Sequence, residues 1–188
     1  MSVSSRRAGR LYVVSGPSGS GKTTIVSRLK GLPGLYYSVS VTTRAPRPGE
    51  VDGRDYRFVS RRKFEEMIAA GEFAEHAQVA GNLYGTPKAP LVEALDAGGK
   101  ALVDIDVQGA MEIKERFPDA VLVFIEPPNM AALEERLRKR GTESEDSVRR
   151  RLDLARREME YAPRYDYRVV NDDLDRAAAQ VRSIIKGR

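Results

Sequence analysis

The chain has 188 residues, 41% hydrophobic and 31% charged, which suits one globular domain with a real core and room for an inserted lobe. It has no cysteine and one histidine, His76, so disulfides, thiol nucleophiles and cysteine- or histidine-built metal sites are excluded. Lys plus Arg total 32 against 27 Asp plus Glu, and the net charge of +5 suits phosphorylated small molecules, nucleic acid or simple solubility.

The opening MSVSSRRAGR is polar and basic, and the apolar run LYVV after it is too short for a signal sequence or a membrane span. A cytoplasmic protein is expected. LYVVS (11–15) predicts a buried strand. It runs into GPSGSGKT (16–23), a full match to G-x-x-x-x-G-K-[ST], and a helix is expected from about 23 to 30. The glycines let successive backbone N–H groups turn inward around phosphate oxygens, and the helix N-terminus adds its dipole. Lys22 brings a cation to the β- and γ-phosphates, and the Thr23 hydroxyl can ligate Mg²⁺. The loop therefore predicts a nucleoside triphosphate with Mg²⁺, but not where its γ-phosphate goes.

The stretch 40–58, SVTTRAPRPGEVDGRDYRF, concentrates Arg44, Arg47, Arg54 and Arg57. Pro46 and Pro48 restrict the backbone around Arg47, and Asp52-Gly53 predicts a tight hairpin turn. Phe64, Met67, Ile68 and Gly71 mark a short helix. FAEHAQV and GNLYG predict a second hairpin, turning at Gly81-Asn82. Residues 40–86 thus read as a small mixed lobe inserted into a core made of 1–39 and 87–188.

KALVDID (100–106), AVLVFI (120–125) and YRVVN (167–171) predict further buried strands, the second stopped by Pro127 and Pro128. Asp104 and Asp106 close the first of these on one side of the strand, at the carboxyl end where α/β proteins bind ligands. They read as a Mg²⁺ partner acting through water, or as a helix cap beside a solvent-facing acid. Met130, Leu133 and Leu137 keep a helical period, as do Val148, Leu152, Ala155 and Met159, and Leu174, Ala177, Ala178, Val181 and Ile185. Gly141 can end the first of these helices, and Thr142 with Glu145 offers a capping box for the next. Arg136 and Arg140 share a face, and Arg151 follows on the next helix. They read either as a lid over about 136–156 that closes on a triphosphate, or as ordinary charged helix faces. Arg149, Arg150, Arg156 and Arg157 interleave with Asp146, Asp153, Glu158 and Glu160 and read as a solvated face. Continuous Val/Leu/Ile strands separated by helices predict an α/β fold with a parallel sheet covered on both faces.

GPSGSGKT, SVTTRAPRPGEVDGRDY, GEFAEHAQVAGNLYGT, LVDIDVQG, RLRKRGTESE and VVNDDL, in this order and spacing, resemble the guanylate kinases, which phosphorylate GMP with ATP. The resemblance covers nearly the whole chain from Arg10 on. It implies a P-loop NTPase-type core, an inserted α+β GMP-binding lobe and a helical lid. It also implies ATP contacts from Gly16, Pro17, Ser18, Gly19, Ser20, Gly21, Lys22, Thr23, Thr24, Arg136, Arg140 and Asn171. The GMP phosphate would meet Arg44, Arg47, Tyr56 and Tyr84, and the guanine Ser40, Glu75 and Thr86. Asp104, Asp106 and Arg151 would lie between the two nucleotides. Lys22, Arg44, Asp104, Arg136, Arg140 and Arg151 would act in the transfer, with Mg²⁺ at Thr23 and Asp104 or Asp106. Partners would be ATP and GMP, with neither nucleic acid nor membrane.

Guanine chemistry is compatible with these assignments. A carboxylate at Glu75 accepts from N1–H and the 2-amino group, and hydroxyls at Ser40 and Thr86 donate to O6. Adenine lacks the 2-amino group and would set an unprotonated N1 against the carboxylate. Without the resemblance, Glu75 reads as an exposed hairpin acid and the tyrosines as strand packing. His76 has no role to fill, because the acceptor is already a phosphate oxyanion. Two other classes compete. Guanylate-kinase-like interaction modules lack parts of the phosphate loop or lid that are present here. Nucleic-acid binders carry a basic stripe with interleaved aromatics, which this chain does not show.

Overall fold

The computed structural model describes residues 9–139 and 145–187. In chain order, β1 (Arg10–Ser15), α1 (Lys22–Ser27) and β2 (Leu35–Tyr37) are followed by β3 (Val41–Thr42), β4 (Arg57–Phe58), α2 (Arg61–Ala69), β5 (Phe73–Val79) and β6 (Asn82–Pro87). Then come α3 (Lys88–Asp96), β7 (Lys100–Asp104), α4 (Val107–Arg116), β8 (Val121–Glu126), α5 (Met130–Lys139), α6 (Glu145–Met159), β9 (Tyr167–Val170) and α7 (Leu174–Lys186).

β2-β7-β1-β8-β9 form one parallel sheet, so the expected α/β architecture is borne out. Alternation along its strands builds two cores. Leu11, Val13, Val103, Leu122 and Phe124 face one side and pack with Leu91 of α3 and Ile113 of α4. Tyr12, Val14, Leu102, Val123 and Ile125 face the other and pack with Ile25 of α1 and Val181 and Ile185 of α7. Each such side chain contributes about 1.5–3 kcal/mol when fully buried, and this rigid frame fixes the carboxyl ends of β1, β7 and β8. A second sheet, β4-β3-β6-β5, carries α2 over a small core of Val41, Phe64, Met67, Phe73 and Leu83. Phe64 and Phe73 stack there at 4.5 Å. α5 and α6 pack on each other through Leu133, Leu137, Val148, Leu152 and Ala155. None of the described helices is long and apolar enough to cross a membrane.

Several expectations change. β2 joins the parallel sheet as an edge strand that the apolar pattern does not mark, because LYY is short and only half-buried. The strand expected over 100–106 ends at Asp104; Asp106 caps α4 instead, accepting from Gln108 and Gly109 N–H groups. Asp52-Gly53 makes no hairpin, since β3 and β4 run parallel and the chain between them closes as a loop. In that loop Gly53 N–H reaches Tyr56 O at 2.8 Å and Asp52 Oδ1 accepts from Phe58 N–H. The β5–β6 hairpin turns at Ala80-Gly81 rather than Gly81-Asn82. Both turn residues have positive φ, 49° and 82°, as a two-residue primed turn requires, and Asn82 pairs with Val79 in the ladder. Gly141 and Thr142 lie outside the described residues.

Candidate active site

The phosphate loop leaves β1 at Ser15 and enters α1 at Lys22. Gly21 sits at φ 90°, and a Cβ there would lie 2.1 Å from Asn171 Nδ2, so any other residue would strain the backbone and displace that amide. That amide donates to Ser20 O at 2.6 Å, and Arg136 donates to Asn171 O at 2.7 Å and to Ser20 O at 3.4 Å. Asn171, expected among the ATP contacts, therefore gives its amide to the loop backbone. Lys22 Nζ sits 2.5 Å from Asp104 Oδ1 and donates to Ile105 O at 3.1 Å. Burial pulls the Lys22 ammonium down, but the Asp104 charge and hydrogen bond outweigh it and the net direction is up. Asp106 and Tyr56 push the same way. Pro17 is buried, while Ser18 and, on the first turn of α1, Thr23 and Thr24 are exposed.

A second cluster belongs to the β3–β6 sheet. Glu75 and Thr86 are direct partners across β5 and β6, and the Thr86 hydroxyl donates to Glu75 Oε1 at 2.6 Å. Glu75 is 2% exposed, so it is not the exposed hairpin acid that the bare residues suggest. Burial pushes its carboxyl up to about 7, with the Thr86 bond opposing and Asp106 and Glu112 adding to the rise. The α4 backbone stands against it: a Cβ on Gly109 would lie 2.6 Å from Glu75 Oε2. Ser40 is buried just ahead of β3.

Arg44 makes a two-pronged pair with Glu50, both contacts at 2.9 Å, and its guanidinium lies 5.3 Å from the Tyr56 ring centre. The Tyr56 and Tyr84 rings meet edge-on at 6.0 Å. Arg47 is exposed, and its N–H donates to Glu50 Oε2 at 2.7 Å. Arg54 and Arg57 are exposed, Arg54 pairing with Asp55. Glu50 escapes the sequence reading, although its spacing of six from Arg44 in a Pro-Gly loop is a usable signal. Tyr37 escapes it too. Burial pushes its hydroxyl up, and the Asp104 charge and Tyr56 add to the rise.

α5 and α6 complete the arrangement. Arg151 donates to Ser18 Oγ in the phosphate loop. Arg140 lies outside the described residues. Asp153 pairs with Arg156 at 2.7 Å. Glu158 departs from the solvated face expected of its neighbours. Its Oε2 is buried without a hydrogen-bond partner, and burial pushes the carboxyl up to about 7 against the pull of Lys22. The sequence signal is its spacing of seven from Arg151, which returns it to the same helix face. Among the described residues, no group of three or more His, Cys, Asp or Glu could hold a metal ion alone.

A parallel sheet whose first strand feeds a Gly-rich loop, with Lys and Thr opening the next helix, defines a P-loop nucleotide-binding protein. The guanylate kinase family model matches residues 8–188. The chain is 53% identical to the guanylate kinase of Gloeobacter violaceus over 94% of its own length and 86% of that protein's. It is 49% identical to the guanylate kinase of Rubrobacter xylanophilus, over 96% and 95%. The crystal structure of guanylate kinase from Anaplasma phagocytophilum superposes with a TM-score of 0.80 at 37% identity, covering 96% of this chain and 86% of that one. The chain belongs to the guanylate kinase family.

Proposed function

We propose that this chain transfers the γ-phosphoryl group of ATP to the phosphate of GMP, giving ADP and GDP, and acts on dGMP as well. One observation carries the choice of acceptor: a buried carboxylate, Glu75, held by Thr86 against the N-terminal part of α4, whose cap Asp106 directly follows Ile105, the residue to whose carbonyl Lys22 of the phosphate loop donates. Guanine offers that carboxylate two donors, and adenine does not.

The triphosphate lies in the N–H cradle of residues 16–23 with its helix dipole. Lys22, held in place by Asp104, meets the β- and γ-phosphates. Arg44 exchanges Glu50 for the GMP phosphate, keeping a two-pronged contact throughout. A GMP phosphate oxygen forms a bond to the γ-phosphorus as the bond from that phosphorus to the bridging oxygen breaks and leaves with ADP. No side-chain base is needed, because the attacking group is already an oxyanion. Arg136, Arg140 and Arg151 bear on the charge that spreads over the transferred group.

Mg²⁺ suits this donor set: with no all-protein cage among the described residues, it would be held by phosphate oxygens, waters, the Thr23 hydroxyl and water-bridged Asp104 or Asp106. When bound, it neutralises phosphate charge. Residues 40–86 act as the GMP lobe and about 136–156 as the lid over the core. Free nucleotides as substrates place the work in the cytoplasm. The test is one coupled assay of ATP and Mg²⁺ against GMP, dGMP, AMP, UMP, CMP and dTMP. Turnover confined to GMP and dGMP is expected, and turnover with AMP at a similar rate would refute the reading. Glu75→Ala is expected to abolish discrimination between GMP and AMP.

A further inference from the structure

Strand β5 breaks its own alternation just before Glu75. Phe73 pairs with Pro87 and Glu75 with Thr86, so β5 takes two steps where β6 takes one, and Ala74 is the extra residue of a bulge. In a regular strand Phe73 and Glu75 would share a face. Here Phe73 packs in the small core, and His76 meets it edge-on at 6.2 Å. Ala74 packs in the central core instead, and Glu75 turns to α4, where its Oε2 would lie 2.6 Å from a Cβ on Gly109. The bulge therefore aims Glu75 away from the small apolar core.

α4 holds that bulge. Arg116, in its last turn, donates to the Ala74 carbonyl, and the helix is fixed in the central core by Ala110 and Ile113. Gly109 and Arg116 are seven residues apart on one face of α4, about 10 Å along its axis. One bounds the Glu75 carboxylate and the other grips its strand. The Ala74 carbonyl and the Glu75 N–H belong to one peptide plane, so a turn of that carbonyl swings the Glu75 Cα. We propose that Arg116 is a positioning residue for guanine recognition, holding the bulged carbonyl so that β5 presents Glu75 to the base at a fixed angle. The inference rests on Glu75 as the guanine reader. Ala74 is 1% exposed. Without Arg116 its carbonyl loses this donor in a buried place and turns to find water, and Glu75 turns with it. A mere tie between lobe and core would change stability and leave base selection untouched.

The test compares GMP with IMP, which lacks the 2-amino group that donates to Glu75. The ratio of kcat/KM for GMP to that for IMP is measured at saturating ATP and Mg²⁺, with melting temperatures alongside. The variants are Arg116→Met, Arg116→Lys, Glu75→Ala and the double variant Arg116→Met with Glu75→Ala. Arg116→Met keeps the stem and removes the donor, and is expected to lower the ratio about fivefold or more, the scale of a partly lost hydrogen bond. The KM for ATP is expected to stay within about twofold. Arg116→Lys, which restores a donor, is expected to return the ratio to within about twofold of the parent protein. In the Glu75→Ala background, loss of Arg116 is expected to change the ratio by less than about twofold further. A parental ratio in Arg116→Met, whatever its melting temperature, overturns the proposal, as do Lys no better than Met and effects that multiply in the double variant. If Arg116→Met does not fold, Arg116→Gln replaces it in the cycle, because its shorter amide falls short of the carbonyl. A parental ratio in Glu75→Ala would bring down the guanine assignment and this proposal with it. A ratio that moves in Glu75→Ala but not in Arg116→Met overturns this proposal alone.

Discussion

Glu75 carries the most exposed claim at the level of single residues. Its ordinary value is 4.5 and burial raises it to about 7. Between those values the unfolded chain releases a proton that the folded chain keeps. The stability due to this group is therefore full below 4.5 and is lost as pH rises through about 7. Glu75→Gln removes that loss, so the variant is expected to be more stable than the parent at pH 8 by about 2–4 kcal/mol, read from urea unfolding at pH 5 and pH 8. Ligand binding runs the other way. GMP donates to the charged carboxylate, so calorimetry is expected to show GMP binding about tenfold tighter at pH 8 than at pH 6. The substrate phosphate titrates equally in both proteins, so the difference between wild type and Glu75→Gln isolates Glu75. An identical pH slope in the two would dismiss Glu75 as the guanine reader. At the phosphate loop, Lys22→Ala is expected to lower kcat by about 10³ or more with an unchanged circular dichroism spectrum; a variant with near-normal turnover would remove Lys22 from the chemistry. Both residues stand out in the sequence, one inside a spaced motif and one by family resemblance. Glu50 and Glu158 do not. Glu50 is set by its pair with Arg44 and Glu158 by burial on folding, neither of which composition and periodicity can report.

Elements show the same division. β1, β7, β8 and α7 were legible because burial on both sheet faces demands unbroken apolar runs and a helix on the surface demands a stripe. β2 was not, since three half-buried residues carry no period, and its place at the sheet edge is decided by pairing with β7. Asp52-Gly53 misled for a related reason: a Gly with positive φ marks a turn, but not whether the strands it joins run antiparallel. Asp106 illustrates a third case, where one carboxylate ends the strand approach and starts α4 together. That cap also fixes where Gly109 lies, and so gives a prediction for the helix. Alanine is the better helix former by about 1 kcal/mol, yet at position 109 its Cβ would sit 2.6 Å from Glu75 Oε2. Gly109→Ala is therefore expected to raise the KM for GMP about tenfold or more, with kcat at saturating GMP and the KM for ATP changed far less. Unchanged GMP kinetics would mean that the carboxylate moves aside without loss, and that α4 does not set its position.

The molecule as a whole consists of packed units with separate cores: the parallel sheet with its helices, the small sheet under α2, and the α5–α6 pair. Separate cores let the units move as bodies, although Ala74 of the small sheet and Met159 of α6 also pack on the central core. Arg116 of α4 donates to Ala74 O of the small-sheet unit, and Arg151 of the helical pair reaches Ser18. Nucleotides bound at these junctions would draw the units together, so each ligand should help the other bind. One ligand at 100 times its Kd stabilises the folded state by about 2.7 kcal/mol, and two independent ligands by about twice that. GMP with a non-hydrolysable ATP analogue is expected to exceed this sum by about 1–2 kcal/mol, the usual size of a coupling energy. The surplus is read from urea unfolding with neither, either and both ligands, each held at 100 times its own separately measured Kd. It should shrink in Arg151→Ala, which removes one link between the helical pair and the loop and leaves Arg136 on Ser20 O. A strictly additive result in the parent protein would show that the two nucleotides bind without closing the units on each other, and the lid would then have to act after both are seated.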